Sequence, residues 1–281
     1  MPWYEADGSR LFYELRGDTG PALMLVHGGM CNHRDWRLQL DALSGEFQVI
    51  APDLRCHGAS AGDPAGFTIG RLTSDLIALL EELAIPRSVI VGHSLASRVV
   101  VEAAARRPDL VAGLVLFDGS RGEGGFAATE SPADRPPPGS ATLREMLEIT
   151  VGPWASATIR EPIVETMIAT PTEVMAACVE AMSVWDRTRA DAAFAAISPD
   201  LPLLALQSTY HDRFTPRRSL TANDRSTPYL DFVRSVRPET SVTILPDTGH
   251  FAMLERPKFI DALLQDFAAR AMGERQWPGS A

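Results

Sequence analysis

Short runs of consecutive apolar residues alternate along this chain with segments whose apolar positions recur every three or four residues. Ala22 to Val26 and Phe47 to Ala51 are continuous apolar runs that end at His27-Gly28-Gly29 and Pro52-Asp53, and Val89 to Val91 ends at Gly92. Such runs are expected of strands buried on both faces. Trp36 to Leu43 and Leu72 to Leu83 carry helical periodicity, as do Leu95, Val99, Val100, Ala103 and Ala104, and Val111 to Phe117 supplies a further strand. Ahead of these, Trp3 to Glu5 and Arg10 to Leu15 alternate in polarity around Asp7-Gly8, the pattern of a β-hairpin. Leu201 to Gln207 and Val242 to Leu245 read as strands. Pro257 to Ala271 reads as a closing helix with apolar Phe259, Ile260, Leu263, Leu264 and Phe267. Strands alternating with helices predict an α/β fold, a mostly parallel central sheet flanked by helices on both faces.

The rhythm breaks between residues 121 and 198. Gly- and Pro-rich text, GEGGFAATESPADRPPPGS, gives way there to Ala- and Met-rich helical segments containing Trp154 and Trp185. The expected organisation is a core of residues 1–120 and 199–281 interrupted by a helical lid insertion at 121–198. Pro136-Pro137-Pro138 predicts an extended hinge. The tail ERQWPGSA reads as loose, and no internal repeat is present.

With 281 residues the chain can bury a sizeable core. A formal charge of -10 without a basic block argues against nucleic acid or an anionic membrane as partner. No apolar run reaches the roughly 20 residues that span a bilayer, and MPWYEADGSR lacks the basic and apolar regions of a secretory signal. A cytoplasmic location is expected, with a small-molecule substrate as partner and a homo-oligomer left open. Cys31, Cys56 and Cys178 lack C-x-x-C spacing, so buried free thiols are expected rather than disulfides or a metal knuckle. Cys31 follows the loop at His27 and could touch substrate.

Chemistry concentrates at VIVGHSLASRVVVEAAARRP, where Ser94 lies between a strand and a helix. That junction reads as a nucleophile elbow, a sharp turn that lifts the serine hydroxyl clear and aims it at free N–H groups of the helix N-terminus. Gly92 relieves crowding before the nucleophile, and Ala96 stands where a second glycine is usual. His27-Gly28-Gly29, the Asp53-Leu54-Arg55-Cys56-His57-Gly58-Ala59-Ser60 loop and Asp247-Thr248-Gly249-His250-Phe251 complete the set. In these motifs and their order the chain resembles the α/β-hydrolase superfamily over everything but the lid. Cys56 replaces one glycine that this family's second loop usually carries.

A serine hydroxyl needs a base within hydrogen-bond reach. The resemblance assigns that role to His250, which follows a strand at a glycine turn, and gives His27 and His57 structural parts. An acid must fix the base's tautomer. Asp212, in the D-x-x-x-P text Asp212-Arg213-Phe214-Thr215-Pro216, is the first candidate, although Ser208-Thr209-Tyr210-His211 makes its loop one residue long. Asp118, at the end of the strand Val111 to Phe117, is the alternative. By resemblance the oxyanion is held by the Gly29 and Leu95 amides. Met30, with Cys31 and His33, is placed on the acyl side. Trp154 and Trp185, with Met167, Met175 and Met182, are candidates for an apolar substrate wall, equally explained as core. Arg187 and Arg189 could receive a carboxylate or belong to a solvated face.

These residues predict a serine hydrolase that cleaves a carboxylic ester or lactone of a small to medium apolar acyl substrate through an acyl-enzyme, with no metal and no organic cofactor. Cleavage of a carbon–carbon bond in a vinylogous diketone, a cofactor-free oxygenase and a non-catalytic small-molecule receptor remain alternatives on the same fold. A serine at position 94 argues against an epoxide hydrolase or haloalkane dehalogenase, which would need a carboxylate there.

Overall fold

Each apolar run becomes a strand whose alternate side chains feed two separate cores, which is why the runs are continuous rather than alternating. The computed structural model describes residues 2–122, 141–212 and 216–273. Its strands are β1 (Trp3–Ala6), β2 (Ser9–Arg16), β3 (Ala22–Val26), β4 (Gln48–Pro52), β5 (Ser88–His93), β6 (Val111–Phe117), β7 (Leu203–Gln207), β8 (Thr209–Tyr210), β9 (Arg218–Ser219) and β10 (Ser241–Ile244). Its helices are α1 (Arg37–Leu43), α2 (Ile69–Glu82), α3 (Ala96–Arg106), α4 (Ala141–Val151), α5 (Ala157–Ile168), α6 (Thr172–Thr188), α7 (Ala190–Ala196), α8 (Pro228–Val236), α9 (Ala252–Glu255) and α10 (Pro257–Ala271).

Eight strands form one sheet in the order β1-β2-β4-β3-β5-β6-β7-β10. The hairpin β1–β2 is antiparallel and β2 meets β4 antiparallel, while every other pair in this sheet is parallel. Leu23, Leu25, Val89 and Val91 face one core, and Met24, Val26 and Ile90 face the other. The β1–β2 turn carries Asp7 at φ 47° and Gly8 at φ 72°, the positive pair that lets a two-residue hairpin loop follow the strands' twist. β7 begins at Leu203, after Pro202, which has no N–H to offer the ladder.

Among the described residues, α4 to α7 stand between β6 and β7, in the stretch expected to form the lid. The hinge at Pro136 to Pro138 and the tail ERQWPGSA lie outside the described residues. An unexpected helix is α8, whose start is capped by the Thr227 hydroxyl, which accepts from the Leu230 amide, and whose first residue is Pro228. The two-residue pair β8–β9 is likewise unexpected. Among the described residues no single helix is long and apolar enough to cross a membrane.

Candidate active site

Ser94 joins β5 to α3 with φ at 53°, a left-handed backbone that costs an L-residue roughly 1–2 kcal/mol. The surroundings hold it there. The Ser94 amide donates to the Phe117 carbonyl of β6 at 2.9 Å. A methyl at Gly92 would stand 2.5 Å from the Ala96 carbonyl oxygen and 2.8 Å from a Val100 methyl, so only glycine lets the helix turn back this closely on β5. Ala96, in the place of the usual second glycine, is fully buried in the core, so its methyl is accommodated.

The loop after β3 passes directly over this turn. A Cβ added at Gly28 would lie 3.1 Å from the Ser94 Cβ, and one at Gly29 would lie 3.3 Å from Leu95 Cδ1. Three histidines fasten the loop. His27 Nδ1 donates to the Gly28 carbonyl at 2.7 Å while its Nε2 accepts from the Leu54 amide at 2.9 Å. His57 Nδ1 donates to the Arg55 carbonyl at 2.8 Å and its Nε2 accepts from the Met30 amide at 2.9 Å. His33 binds Asp53 Oδ1 through both its amide and Nδ1, at 2.7 and 2.8 Å. Burial pushes His27 down to about 3 and also lowers His57, so both stay neutral and can accept those amides. With Met30 N–H engaged, Gly29 and Leu95 are left: their amides donate to no group among the described residues. Two free N–H groups beside a serine can hold a developing oxyanion.

His250 reaches the elbow through its neighbour. His93, adjacent to Ser94, donates from Nε2 to the His250 carbonyl at 2.9 Å, with ring centroids 4.5 Å apart. His250 Nδ1 meets Asp118 Oδ2 at 2.5 Å. Asp118 ends β6 at φ 47° and is fully buried. Its Oδ1 accepts the Ser208 and Thr209 amides at 2.8 and 2.9 Å, and Oδ2 also accepts the Thr209 hydroxyl at 2.7 Å. Burial alone would raise its proton affinity, but hydrogen bonding from His250 and the charge of Arg217 outweigh it and hold Asp118 ionised. A carboxylate only accepts, so Nδ1 carries the proton and Nε2 is left with a free lone pair.

The first-choice acid is therefore corrected: the structure puts Asp118, not Asp212, on the histidine. Past β7 the Ser208 and Thr209 amides turn inward onto Asp118, and the chain then leaves along β8. That takes Asp212 away from the ring, where it accepts from the hydroxyl of half-buried Tyr210.

Arg217 was not singled out by the sequence. Its Nη1 donates to Thr209 Oγ1 at 2.7 Å and comes within 3.6 Å of Asp118 Oδ2 and 3.3 Å of His250 Nδ1. Burial first, then Arg217, lower His250 below the ordinary imidazole value against the opposing pull of Asp118. No sequence pattern announces Arg217, which stands in an unremarked Pro-Arg-Arg.

The intervening helices touch this constellation at two points. The Val151 carbonyl, ending α4, accepts the His250 amide at 3.2 Å, and a Cβ at Gly249 would stand 2.3 Å from that same oxygen. Cys178 of α6 places its Sγ 3.6 Å from His57 Nε2. Trp185, expected on the substrate wall, is instead packed between α6 and α3 with its indole N–H on Glu102 Oε2 at 3.0 Å. Arg189 pairs with the same glutamate, while Trp154 is 55% exposed. Met167 and Met175 are core residues. The Cys31 thiol is buried against Asp35 rather than open to a ligand. Among the described residues no three His, Cys, Asp or Glu side chains are grouped to hold a metal ion.

A sequence model of the alpha/beta hydrolase family matches residues 23–263. The chain belongs to that family. Within it, the chain is similar to the 2-(acetamidomethylene)succinate hydrolase of Mesorhizobium japonicum, 36% identical over 100 residues, which covers 36% of this chain and 36% of that protein. The match thus spans little more than a third of that relative. Solved structures align over nearly the whole length. The enol-lactonase from Burkholderia xenovorans superposes with a TM-score of 0.75 at 23% identity, covering 95% of this chain and 99% of the other. A thermophilic esterase from Thermogutta terrifontis gives a TM-score of 0.75 at 25% identity, covering 96% and 97%.

Proposed function

We propose that this alpha/beta hydrolase is a serine hydrolase of carboxylic esters or lactones with a small to medium, mostly apolar acyl group. The observation that carries the reading is the hydrogen bond from His250 Nδ1 to buried Asp118, which leaves the other ring nitrogen as a free base beside the elbow. In the first step Ser94 Oγ adds to the substrate carbonyl as His250 Nε2 takes its proton. The resulting oxyanion is received by the Gly29 and Leu95 amides, and losing one such donor typically costs about 10²–10³ in rate. The tetrahedral species collapses, the alcohol oxygen leaves with the proton from His250, and an acyl-serine remains. Water, deprotonated by the same nitrogen, then releases the acid and restores the serine. Asp118 holds the ring's tautomer and stabilises the imidazolium formed in each step.

The test is proton release at constant pH over acyl esters of graded length, homoserine lactones and a vinylogous diketone, together with fluorophosphonate labelling of Ser94. Ser94→Ala should abolish both. Asp118→Asn should lower kcat by about 10⁴, as expected when the base loses its tautomer, while Asp212→Asn should stay within about twofold because Asp212 bonds Tyr210 and His250 Nδ1 is already held by Asp118. Loss of turnover in Asp212→Asn with Asp118→Asn unaffected would sink the assignment. Turnover of the diketone alone would move the reading to carbon–carbon hydrolysis, and an unlabelled serine to a receptor.

A further inference from the structure

A cation is built into the back of this constellation. Arg217 lies between Pro216 and β9 with its side chain 10% exposed. Burying a guanidinium is costly unless a carboxylate and good hydrogen bonds compensate it. Arg55 and Arg98 show the usual solution in this molecule: each is buried and grips one carboxylate with two nitrogens, Asp75 at 3.0 and 2.6 Å and Asp186 at 2.8 and 2.7 Å. Arg217 does otherwise. Its Nη1 is fixed by the Thr209 hydroxyl, which in turn donates to Asp118 Oδ2, so the guanidinium stops 3.6 Å short of that oxygen. The 3.3 Å approach to His250 Nδ1 is not a hydrogen bond, since both atoms are donors. It brings a fixed positive charge against the edge of the ring that turns positive during turnover.

We propose that Arg217 is a positioning residue of the hydrolytic machinery: by sharing Asp118 with His250 it offsets part of the carboxylate's charge and keeps the ring neutral and proton-accepting in moderately acidic medium. This inference rests on the serine hydrolase reading for its catalytic meaning. Among the described residues Asp118, Arg217 and His93 act on the ring, and Glu255 stands on the helix that follows it. Asp118 from β6 favours the imidazolium and Arg217 opposes it. His93 from β5 is kept uncharged by burial. Glu255 of α9 is turned onto the Gly249 amide at 2.9 Å, and its own ionisation is held back by burial. Arg217 is thus the positive charge in this set, and removing it leaves Asp118 to act on the ring unopposed.

The experiment follows the His250 ring by NMR titration, with its resonance assigned by its loss in His250→Asn, in the wild type, Arg217→Gln and Arg217→Lys. Arg217→Met, which keeps the apolar stem, serves if the glutamine variant does not fold. The wild-type midpoint is expected below the ordinary imidazole value, and the neutral variant should raise it by about one pH unit, the size of shift that a single neighbouring charge produces. Arg217→Lys should hold it near the wild type. The rate of fluorophosphonate labelling at Ser94, measured against pH, should move its acid midpoint by the same amount. Equal midpoints in the wild type and Arg217→Gln, or equal shifts in the glutamine and lysine variants, would overturn the inference. A titration difference without any labelling of Ser94 would support the effect of Arg217 on the ring and overturn the hydrolase reading instead.

Discussion

Left-handed backbone is demanded of several residues that are not glycine around the site: Ser94, Asp118, Met30 at φ 61° and Cys56 at φ 63°. At Ser94 and Asp118 the side chain carries the proposed chemistry, so the strain cannot be relieved by glycine without losing the function. Cys56 is different. Its thiol is only half-buried, and the resemblance to the family already marks this position as one usually held by glycine. Cys56→Gly should therefore stabilise the fold by about 1 kcal/mol, the lower end of the left-handed penalty, read as a higher urea midpoint at unchanged m-value. A lower midpoint would mean that thiol packing outweighs the backbone strain. Gly58 one turn on allows no exchange in the other direction, because a Cβ there would lie 2.2 Å from Asp53 Oδ2.

Among the elements, α6 is tied to α3, the helix that follows Ser94, rather than resting on it. Arg98 of α3 and Asp186 of α6 form a two-pronged pair with both side chains 4% exposed, and the Gly122 amide adds a bond to the same carboxylate at 2.6 Å. Asp186→Ala should cost about 3–5 kcal/mol by leaving a buried guanidinium uncompensated, whereas the double replacement Arg98→Met with Asp186→Leu should lose far less. Equilibrium unfolding of the two singles and the double measures this coupling. Elements with one dominant signal were legible from residues alone. Val111 to Phe117 and Pro257 to Ala271 keep their expected bounds, because unbroken apolarity and a proline start leave little choice. The short α8 does carry a readable start in Thr227-Pro228 and apolar Tyr229, Leu230, Val233 and Val236 at helical spacing, whereas the two-residue β8 is too short to show a period. The site divides in the same way. Ser94 and His250 stand in local motifs that dictate their turns, whereas the choice between Asp118 and Asp212 depends on where the chain goes after β7. Arg217 depends on the same path, a tertiary matter with no local signature.

For the molecule as a whole, buried neutral histidines set the response to acid. Burial lowers His27 to about 3 and lowers His57, His93 and His250 as well. Each takes up a proton near pH 6.5 only when the chain unfolds, so the stability it contributes is complete above about 6.5 and is lost as pH falls, by up to about 1.4 kcal/mol per pH unit for each ring that stays neutral. Asp35 acts with the opposite sign. Burial raises it to about 7, so its contribution is whole below the unfolded carboxyl value and declines as pH climbs toward 7. The histidines outnumber it, and the unfolding free energy in urea should rise between pH 5 and 6.5. Asp35→Asn should make that rise steeper.

The hydrogen bond from the His250 amide to Val151 has an engineering meaning. A chimaera that imports a foreign segment between β6 and β7, with the aim of changing what the enzyme accepts, would also replace the ledge on which the loop of His250, the proposed base, rests. Exchange beginning after Gly152 leaves that ledge native; exchange beginning at β6 puts substrate preference and proton transfer at stake in one cut.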